Sequence, residues 1–265
     1  MSTIAARRGA LASIPVLLLA VRPAAAQLQP RDDRAWAVAA IALVGTAAAD
    51  QRLADALRGP GPPLLRSTAA VAEPLGRARI GLLGLGASYV TARLAHDPAW
   101  ARATVRAAAG YVAADAVTAV LKPAVDRARP QAGLGPYELH DHRAGEHRHS
   151  FPSGHATHAF ALAAGIAEEA HRPWVTGVAY GTATLVAWSR VHDEAHWPSD
   201  VVAGALVGTS ASLTTVAWLH RREQHHERRR AERGMPRADD ARPAARAAEP
   251  HVWVGPGTIT LSVRF

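Results

Sequence analysis

Apolar residues recur along the chain in segments of helical length that are separated by polar joints. Prolines stand at several of these joints, for example at Pro98, Pro130, Pro173 and Pro198, and Pro ends or begins helices because it lacks an amide hydrogen. Apolar segments of this length between such breaks are typical of helices. The predicted helices cover about Ala35–Leu57, Ile80–Leu94, Pro98–Leu121, His155–Ala170, Trp174–Ser189 and Asp200–His220. The pattern predicts an all-α fold, a six-helix bundle.

The first 26 residues have the layout of a secretory signal peptide. Arg7 and Arg8 precede a short apolar run, Gly9 to Val21, and the segment ends in the small residues Ala24 to Ala26. The run contains Pro15 and is short for a membrane span. We therefore predict residues 1–26 as a cleaved signal and an exported chain on the periplasmic side, with an uncleaved anchor as the alternative.

The end of the chain differs in composition from the predicted bundle at residues 27–220. Residues 221–249 are rich in Arg, Ala and Pro and lack apolar periodicity, which predicts a frayed helix end followed by a basic linker. In residues 250–265 a Gly-Pro-Gly turn precedes alternating apolar positions, which predicts a β hairpin or a single strand. A terminal strand of this kind also suggests outer-membrane association or a structural role there, although one strand closes no barrel.

Polar residues within the predicted helices bear on whether the bundle crosses a membrane. Arg106 and Asp115 fall within the third helix, and Glu168 and Glu169 shorten the fourth. Much of the apolar character comes from Ala and Gly, which favour membrane insertion less than Leu, Ile or Phe. The sequence thus favours a bundle that is peripheral to a membrane, with an integral six-helix protein as the alternative.

Composition excludes several kinds of chemistry. The 265-residue chain contains no cysteine, so disulfides, thiolate metal sites and cysteine nucleophiles are excluded, whereas its 14 histidines remain available. Its formal net charge of +8 suits an anionic substrate, an acidic membrane surface or nucleic acid. Because no zinc-finger spacing, recognition helix or aromatic-interleaved basic strand is present, we expect no nucleic-acid partner.

Two polar clusters lie at predicted helix ends. In "LKPAVDRARP", Lys122 and Arg129 are seven residues apart, so both cations can face one side of a helix before Pro130 ends it. In "PSGHATH", Ser153 is placed to cap a helix whose first amides point outward, and Gly154 allows close backbone approach. The second cluster predicts an anion site beside which His155 can give or take a proton.

A third cluster, "SRVHDEAHWPSD", lies between two apolar segments. His196 and Asp200 are four residues apart, so the carboxylate can hold one imidazole nitrogen and leave the other free as a nucleophile. Arg190 offers a planar fork for two phosphate oxygens. Taken singly, each cluster is explained at least as well by an ordinary helix end, and the first and third are explained better by a solvated or an ion-paired one. The combination of the three suits a phosphoryl group.

The three clusters together resemble the signature of the type 2 phosphatidic acid phosphatase and vanadium haloperoxidase superfamily. The resemblance covers Lys122 to Asp200, in order and with no signature position altered. It implies a metal-independent phosphatase of the phosphatase branch that needs no cofactor and forms a phosphohistidine. His196 would be the nucleophile oriented by Asp200, and His155 would protonate the leaving oxygen. The phosphate would be held by Lys122, Arg129, Ser153, Gly154 and Arg190.

Other functions remain open on the sequence. A haloperoxidase would use the same residues to hold vanadate, which in a phosphatase is an inhibitor instead. His140, His142, His147 and His149 could bind zinc or nickel, but Arg143 and Arg148 lie among them and repel a cation. The predicted substrate is a phosphate monoester or pyrophosphate, with lipid phosphates favoured over the soluble phosphomonoesters of a non-specific acid phosphatase.

Overall fold

The structure is a computed structural model, and it describes residues 33–58, 63–233, 251–255 and 258–262. The predicted signal peptide and most of the predicted basic linker lie outside the described residues. Contacts divide the chain into two units, Met1–Ala217 and Trp218–Phe265. The clusters singled out in the sequence all fall in the first unit.

The described residues contain eight α-helices rather than the predicted six. They are α1 Asp33–Ala48, α2 Asp50–Leu57, α3 Pro63–Leu75, α4 Ala78–Leu94, α5 Pro98–Val125, α6 Gly154–Ala170, α7 Pro173–His192 and α8 Pro198–Glu232. Short 3₁₀ helices follow α5, at Pro130–Ala132 and His142–Ala144.

Two local features account for the difference in helix number. The first predicted helix bends by 73° at Ala49, so that α1 and α2 are separate. The segment after the glycine- and proline-rich residues 59–62 forms α3, which the sequence pattern did not predict. Pro74 lies inside this helix, near its end. α8 extends to Glu232, past residue 220, where the predicted bundle ends and the predicted linker begins.

Capping side chains and prolines mark the starts of several helices. Asp97 caps α5, accepting hydrogen bonds from the amides of Ala99 and Trp100 at 3.0 and 2.9 Å, and Pro98 occupies the first helical position. Ser153 caps α6, as predicted, and Pro198 begins α8, as predicted. The predicted starts of α6 and α8 are therefore confirmed, whereas α5 ends at Val125, before Pro130.

The core is centred on α6. One face of this helix packs with α7 and α8 through Ala156, Phe160 and Ala164, while Ala161 packs against Tyr111 of α5. Small residues allow the helix backbones to approach closely: a Cβ on Gly208 of α8 would lie 2.3 Å from the Thr157 carbonyl oxygen of α6. α6 is thereby fixed between α5, α7 and α8, with its N-terminus directed towards the polar clusters.

Two helices, Pro98–Val125 and Pro198–Glu232, are long and apolar enough to cross a membrane, judged by length and composition. The bent pair formed by α1 and α2 would be a third if it counts as one broken span. These statements concern only the part of the chain that the structure describes.

The second unit contains two strands, β1 His251–Gly255 and β2 Thr258–Ser262. They pair antiparallel, with His251 opposite Ser262 and Gly255 opposite Thr258.

Candidate active site

His196 lies in the joint between α7 and α8, and one of its two ring nitrogens, Nδ1, faces polar partners. Its Nδ1 lies 3.7 Å from Oδ2 of Asp200, which is too long for a direct hydrogen bond. The Ser150 hydroxyl connects the two groups: its Oγ lies 3.4 Å from Nδ1 and donates to Asp200 Oδ2 at 2.5 Å. Nε2 of His196 has no hydrogen-bond partner within residues 33–58 and 63–233, so it is the nitrogen available for chemistry.

Burial controls the charge of His196. It lowers the pKa of the imidazole to about 4, and the neighbouring Asp200 carboxylate acts in the opposite direction. Repulsion by Arg129 and Lys122 adds to the lowering of the pKa. The imidazole is therefore neutral at ordinary pH and its Nε2 keeps a free electron pair.

Asp200 is fully buried and is held by a network from four parts of the chain. Its Oδ1 accepts from Arg127 Nη1 at 2.7 Å, and its Oδ2 accepts from the Trp197 amide at 2.9 Å. Arg127 Nη2 also donates to Oδ2 of Asp50 in α2 at 2.7 Å, and Asp50 in turn accepts from the amide and hydroxyl of Ser199. A buried carboxylate with this many donors has little freedom to rotate, so it fixes the site of His196.

The N-terminus of α6 faces the same region. The Ser153 amide donates to the Asp200 carbonyl at 2.9 Å, and its hydroxyl accepts from the Ala156 amide at 3.5 Å. Ser153, which the sequence predicted to bind phosphate, therefore caps α6 and connects it to α8. The amides of Gly154 and His155 have no partner among the described residues, and a Cβ on Gly154 would lie 3.7 Å from Lys122 Cε.

Three cations from three parts of the chain lie around the N-terminus of α6 and His196: Lys122 in α5, Arg129 after α5 and Arg190 in α7. Lys122 Nζ donates to the His149 carbonyl at 2.9 Å, and Arg129 Nη1 donates to the Ala195 carbonyl at 3.2 Å, one residue before His196. Arg190 is buried, and its Nη2 donates to Asp193 Oδ2 at 2.5 Å. Such an arrangement provides positive charge to an anion bound between them.

The expectation that Lys122 and Arg129 share one helix face is wrong. α5 ends at Val125 because Asp126 adopts a left-handed conformation with φ of 45°. Arg129 therefore lies in the extended segment after the helix, where its amide donates to the His147 carbonyl at 2.8 Å. The two cations converge because the chain turns, not because of helical spacing.

His155, in the first turn of α6, forms a second histidine–carboxylate pair. Its Nε2 lies 3.0 Å from Oε1 of Glu73 in α3. Nη1 of Arg190 lies 3.9 Å from the same carboxylate oxygen, so His155 and Arg190 share Glu73 as a neighbour. Burial, with Arg190 as the next cause, lowers the pKa of the His155 imidazole below its ordinary value.

The histidine-rich loop is arranged around a carboxylate. Nδ1 of His149 lies 3.2 Å from Asp126 Oδ1, and Nδ1 of His140 lies 3.6 Å from Oδ2. Arg148 forms a two-pronged ion pair with the same carboxylate. Residues 33–58 and 63–233 contain no cluster of three or more His, Asp or Glu side chains placed to hold a metal ion.

Comparison with known proteins places these features in a family. The family model of the PAP2 superfamily matches residues 103–224. Residues 103–224 belong to the PAP2 superfamily. The match includes Lys122 to Asp200, so the resemblance seen in the sequence is confirmed.

Two curated relatives are similar to part of this chain. The chain is 37% identical over 70 residues to "Putative undecaprenyl-diphosphatase YbjG" of Escherichia coli, which is 26% of this chain and 35% of that protein. It is 41% identical over 61 residues to "Lipid A 1-phosphatase" of Porphyromonas gingivalis, which is 22% of this chain and 14% of that protein. The chain thus spans about a third or less of the length of these relatives.

The crystal structure of Aquifex aeolicus LpxE resembles this chain with a TM-score of 0.53 and 18% sequence identity. The similarity covers 63% of this chain and 94% of that one. At this identity the comparison supports an all-helical PAP2 fold and nothing more.

Four residues around the site were not singled out in the sequence analysis: Asp50, Glu73, Arg127 and Ser150. Asp50 and Glu73 lie before the PAP2 segment and reach the site through packing of α2 and α3. Arg127 lies inside the "LKPAVDRARP" cluster, and Ser150 directly precedes "FPSGH". Their positions next to predicted site residues could therefore have indicated a role at the site. The available signal was that apolar residues directly precede each acid, at 47–49 before Asp50 and at 69–72 before Glu73, since buried acids require partners.

Proposed function

We propose that the chain is a phosphatase that hydrolyses phosphate monoesters or pyrophosphates of lipids through a phosphohistidine at His196. The observation that carries the proposal is the state of His196. Its Nδ1 faces Asp200 and Ser150, its Nε2 is free, and the ring is neutral and surrounded by cations. This is the arrangement that an imidazole needs to attack phosphorus.

In the first step, Nε2 of His196 forms a bond to phosphorus while the bond from phosphorus to the leaving oxygen breaks. The leaving oxygen takes a proton from His155. The phosphorylated ring carries positive charge, which the Asp200 carboxylate stabilises through Ser150 and by its own negative charge, 3.7 Å from Nδ1. The products of the step are a free alcohol or lower phosphate and a phosphoimidazole.

In the second step, a water oxygen bonds to phosphorus and the N–P bond breaks. His155, which has lost its proton, takes one from the water. Inorganic phosphate then leaves, and both histidines return to their initial states.

The phosphoryl oxygens would be bound by Lys122, Arg129 and Arg190 together with the first amides of α6. Charge spreads over three equatorial oxygens in the transition state of phosphoryl transfer, so donors on several sides are needed. Ser153 contributes by capping α6, and Gly154 by its free amide. Loss of one such donor is expected to cost on the order of a hundredfold or more in turnover.

Lipid substrates are favoured by the apolar surface of the first unit. Large apolar side chains are exposed along three helices: Trp36, Ile41 and Val44 in α1, Leu82, Leu83 and Leu94 in α4, and Val112 and Val120 in α5. Exposed apolar surface on this scale marks contact with a membrane or another protein. The names of the relatives, an undecaprenyl-diphosphatase and a lipid A phosphatase, agree with a phosphate at a membrane.

The reaction as proposed needs no metal ion, because side-chain cations and helix amides neutralise the phosphate. Vanadate, which adopts the trigonal bipyramidal geometry of the transition state, would inhibit by bonding to the same Nε2. We also propose that the site works on the exported side of a membrane, as the layout of the first 26 residues suggests.

The test is to trap the intermediate. Purified protein is mixed with a 32P-labelled lipid phosphate, a labelled lipid pyrophosphate or a soluble labelled ester in excess chelator, quenched in alkali and digested. We expect label on the peptide that contains His196, no label in His196→Ala, and faster labelling with the lipids. Recovery of no histidine adduct from a protein that turns over would refute the mechanism, and loss of activity with chelator would refute metal independence.

A further inference from the structure

Glu73 is a carboxylate whose position neither the sequence motifs nor the proposed steps explain. It lies in the last turn of α3, and its Oε1 is 3.0 Å from Nε2 of His155. Arg77, which directly precedes α4, donates two hydrogen bonds to it, from Nε to Oε1 at 3.1 Å and from Nη2 to Oε2 at 2.8 Å. The hydrogen bond from Arg77 is the main reason that the pKa of the Glu73 carboxyl lies below its ordinary value. Glu73 is therefore a fixed, ionised acceptor beside His155.

The joint between α3 and α4 is shaped to receive the ring of His155. A Cβ on Gly76 would lie 2.8 Å from His155 Cβ and 2.9 Å from its Cδ2. The Gly76 carbonyl oxygen also lies 3.2 Å from Nδ1 of His158, one turn further along α6. The absence of a side chain at Gly76 lets the ring pack against the joint, where it has little room to rotate away from Glu73.

The contact with Glu73 determines which nitrogen of His155 can exchange a proton. An ionised carboxylate only accepts hydrogen bonds, so Nε2 carries a hydrogen. Nδ1 has no hydrogen-bond partner within residues 33–58 and 63–233, which leaves it as the nitrogen that can exchange a proton. His196 has the opposite arrangement, with Nδ1 held and Nε2 free.

The charged and titratable groups around His155 come from three helices. Arg190 of α7 and His158 of α6 disfavour a positive charge on the ring, as does burial, whereas Glu73 of α3 favours it. Arg77 acts on Glu73 rather than on the ring. Without Glu73, every remaining influence would remove the proton that a leaving oxygen needs.

We propose that Glu73 is a positioning residue for the acid: it fixes Nε2 of His155 and thereby keeps a transferable proton on Nδ1. The proposal rests on the proposed function, in which His155 protonates the leaving oxygen. In the first step the Nδ1 proton passes to the leaving oxygen as the P–O bond breaks, and in the second Nδ1 takes a proton from water. Nε2 keeps its hydrogen on Glu73 throughout.

The test compares two leaving groups in Glu73→Gln, Glu73→Asp and the unchanged protein. A strongly basic alkoxide needs a proton as it leaves, whereas nitrophenolate does not. We expect Glu73→Gln to lower kcat for an alkyl or lipid phosphate by at least about tenfold, within the range that general acids contribute, and to lower it far less for nitrophenyl phosphate. The descending, alkaline limb of the kcat/KM profile for the alkyl ester should move to lower pH, and Glu73→Asp should restore part of both.

The matched control is Asp55→Asn, which removes an exposed carboxylate that pairs with Arg58. Equal losses for both leaving groups, or an unmoved alkaline limb, would overturn the role of Glu73. The yield of the His196 adduct from nitrophenyl phosphate separates the two proposals. If the His196 adduct forms but Glu73→Gln lowers turnover equally for both leaving groups, only this inference is refuted. If the unchanged protein forms no adduct, the proposed function is refuted as well.

Discussion

Replacing Arg127 by Met would test whether the network behind His196 stabilises the fold. Arg127 lies between two fully buried carboxylates, with 2.7 Å bonds to Asp50 and to Asp200. The substitution removes the guanidinium that is bonded to both acids. Removal of one partner from a buried ion pair costs about 3–5 kcal/mol in the free energy of unfolding. For a domain of this size, a loss of that magnitude lowers Tm by roughly 6–20 °C.

The measurement is thermal unfolding followed by far-ultraviolet circular dichroism, in the same detergent or buffer for all variants. Arg58→Met is the matched control, because Arg58 pairs with Asp55 at 45% side-chain exposure, and exposed pairs contribute about 0–1 kcal/mol. Adding Asp50→Asn to Arg127→Met should recover part of the loss, since one unpaired charge is removed. If Arg127→Met and Arg58→Met unfold within about 1 kcal/mol of each other, the network does not have the stabilising role assigned to it.

Two further predictions follow from the same structure. The kcat/KM profile should be bell-shaped with its maximum on the acidic side of neutrality: His196 becomes protonated and inactive only as pH falls towards about 4, and His155, whose pKa lies below its ordinary 6.5, loses its proton as pH rises. A profile that rises up to pH 8 would contradict these assignments. Gly208→Ala should lower the free energy of unfolding by about 1–3 kcal/mol, because its Cβ would overlap the Thr157 carbonyl and neither backbone can move aside. Gly181→Ala, a helical position with nothing within 4 Å, should instead be neutral or stabilising, and equal effects of the two would argue against close packing of α6 and α8.

Local sequence patterns predicted the parts of the site that depend on local structure. The Ser153 cap, the start of α8 at Pro198 and the pairing of His196 with Asp200 all follow from spacing over a few residues. The predicted contact between His196 and Asp200 is indirect, because the Ser150 hydroxyl lies between them. Spacing sets how far a side chain can reach, but it does not indicate which third group will enter the gap.

Contacts between distant segments could not be predicted in this way. Asp50 meets Ser199 across 149 positions, and Glu73 meets His155 across 82. The helix that carries Glu73 was itself missed, since prolines at both ends of a short, mixed segment favour a loop by local criteria. Only the packing of α2 against α7 and α8, and of α3 against α6 and α7, shows that these acids belong to the same centre.

The sharp bend at Ala49 has a consequence for how this protein can be dissected. By redirecting the chain, it brings Asp50 to the buried network behind the candidate active site, whose recognisable motifs begin some seventy residues later. A fragment cut to the family boundaries would retain every signature side chain yet lose its deepest counterion. Grafting the three motifs onto another helical scaffold should fail for the same reason, unless an equivalent acid is supplied from outside.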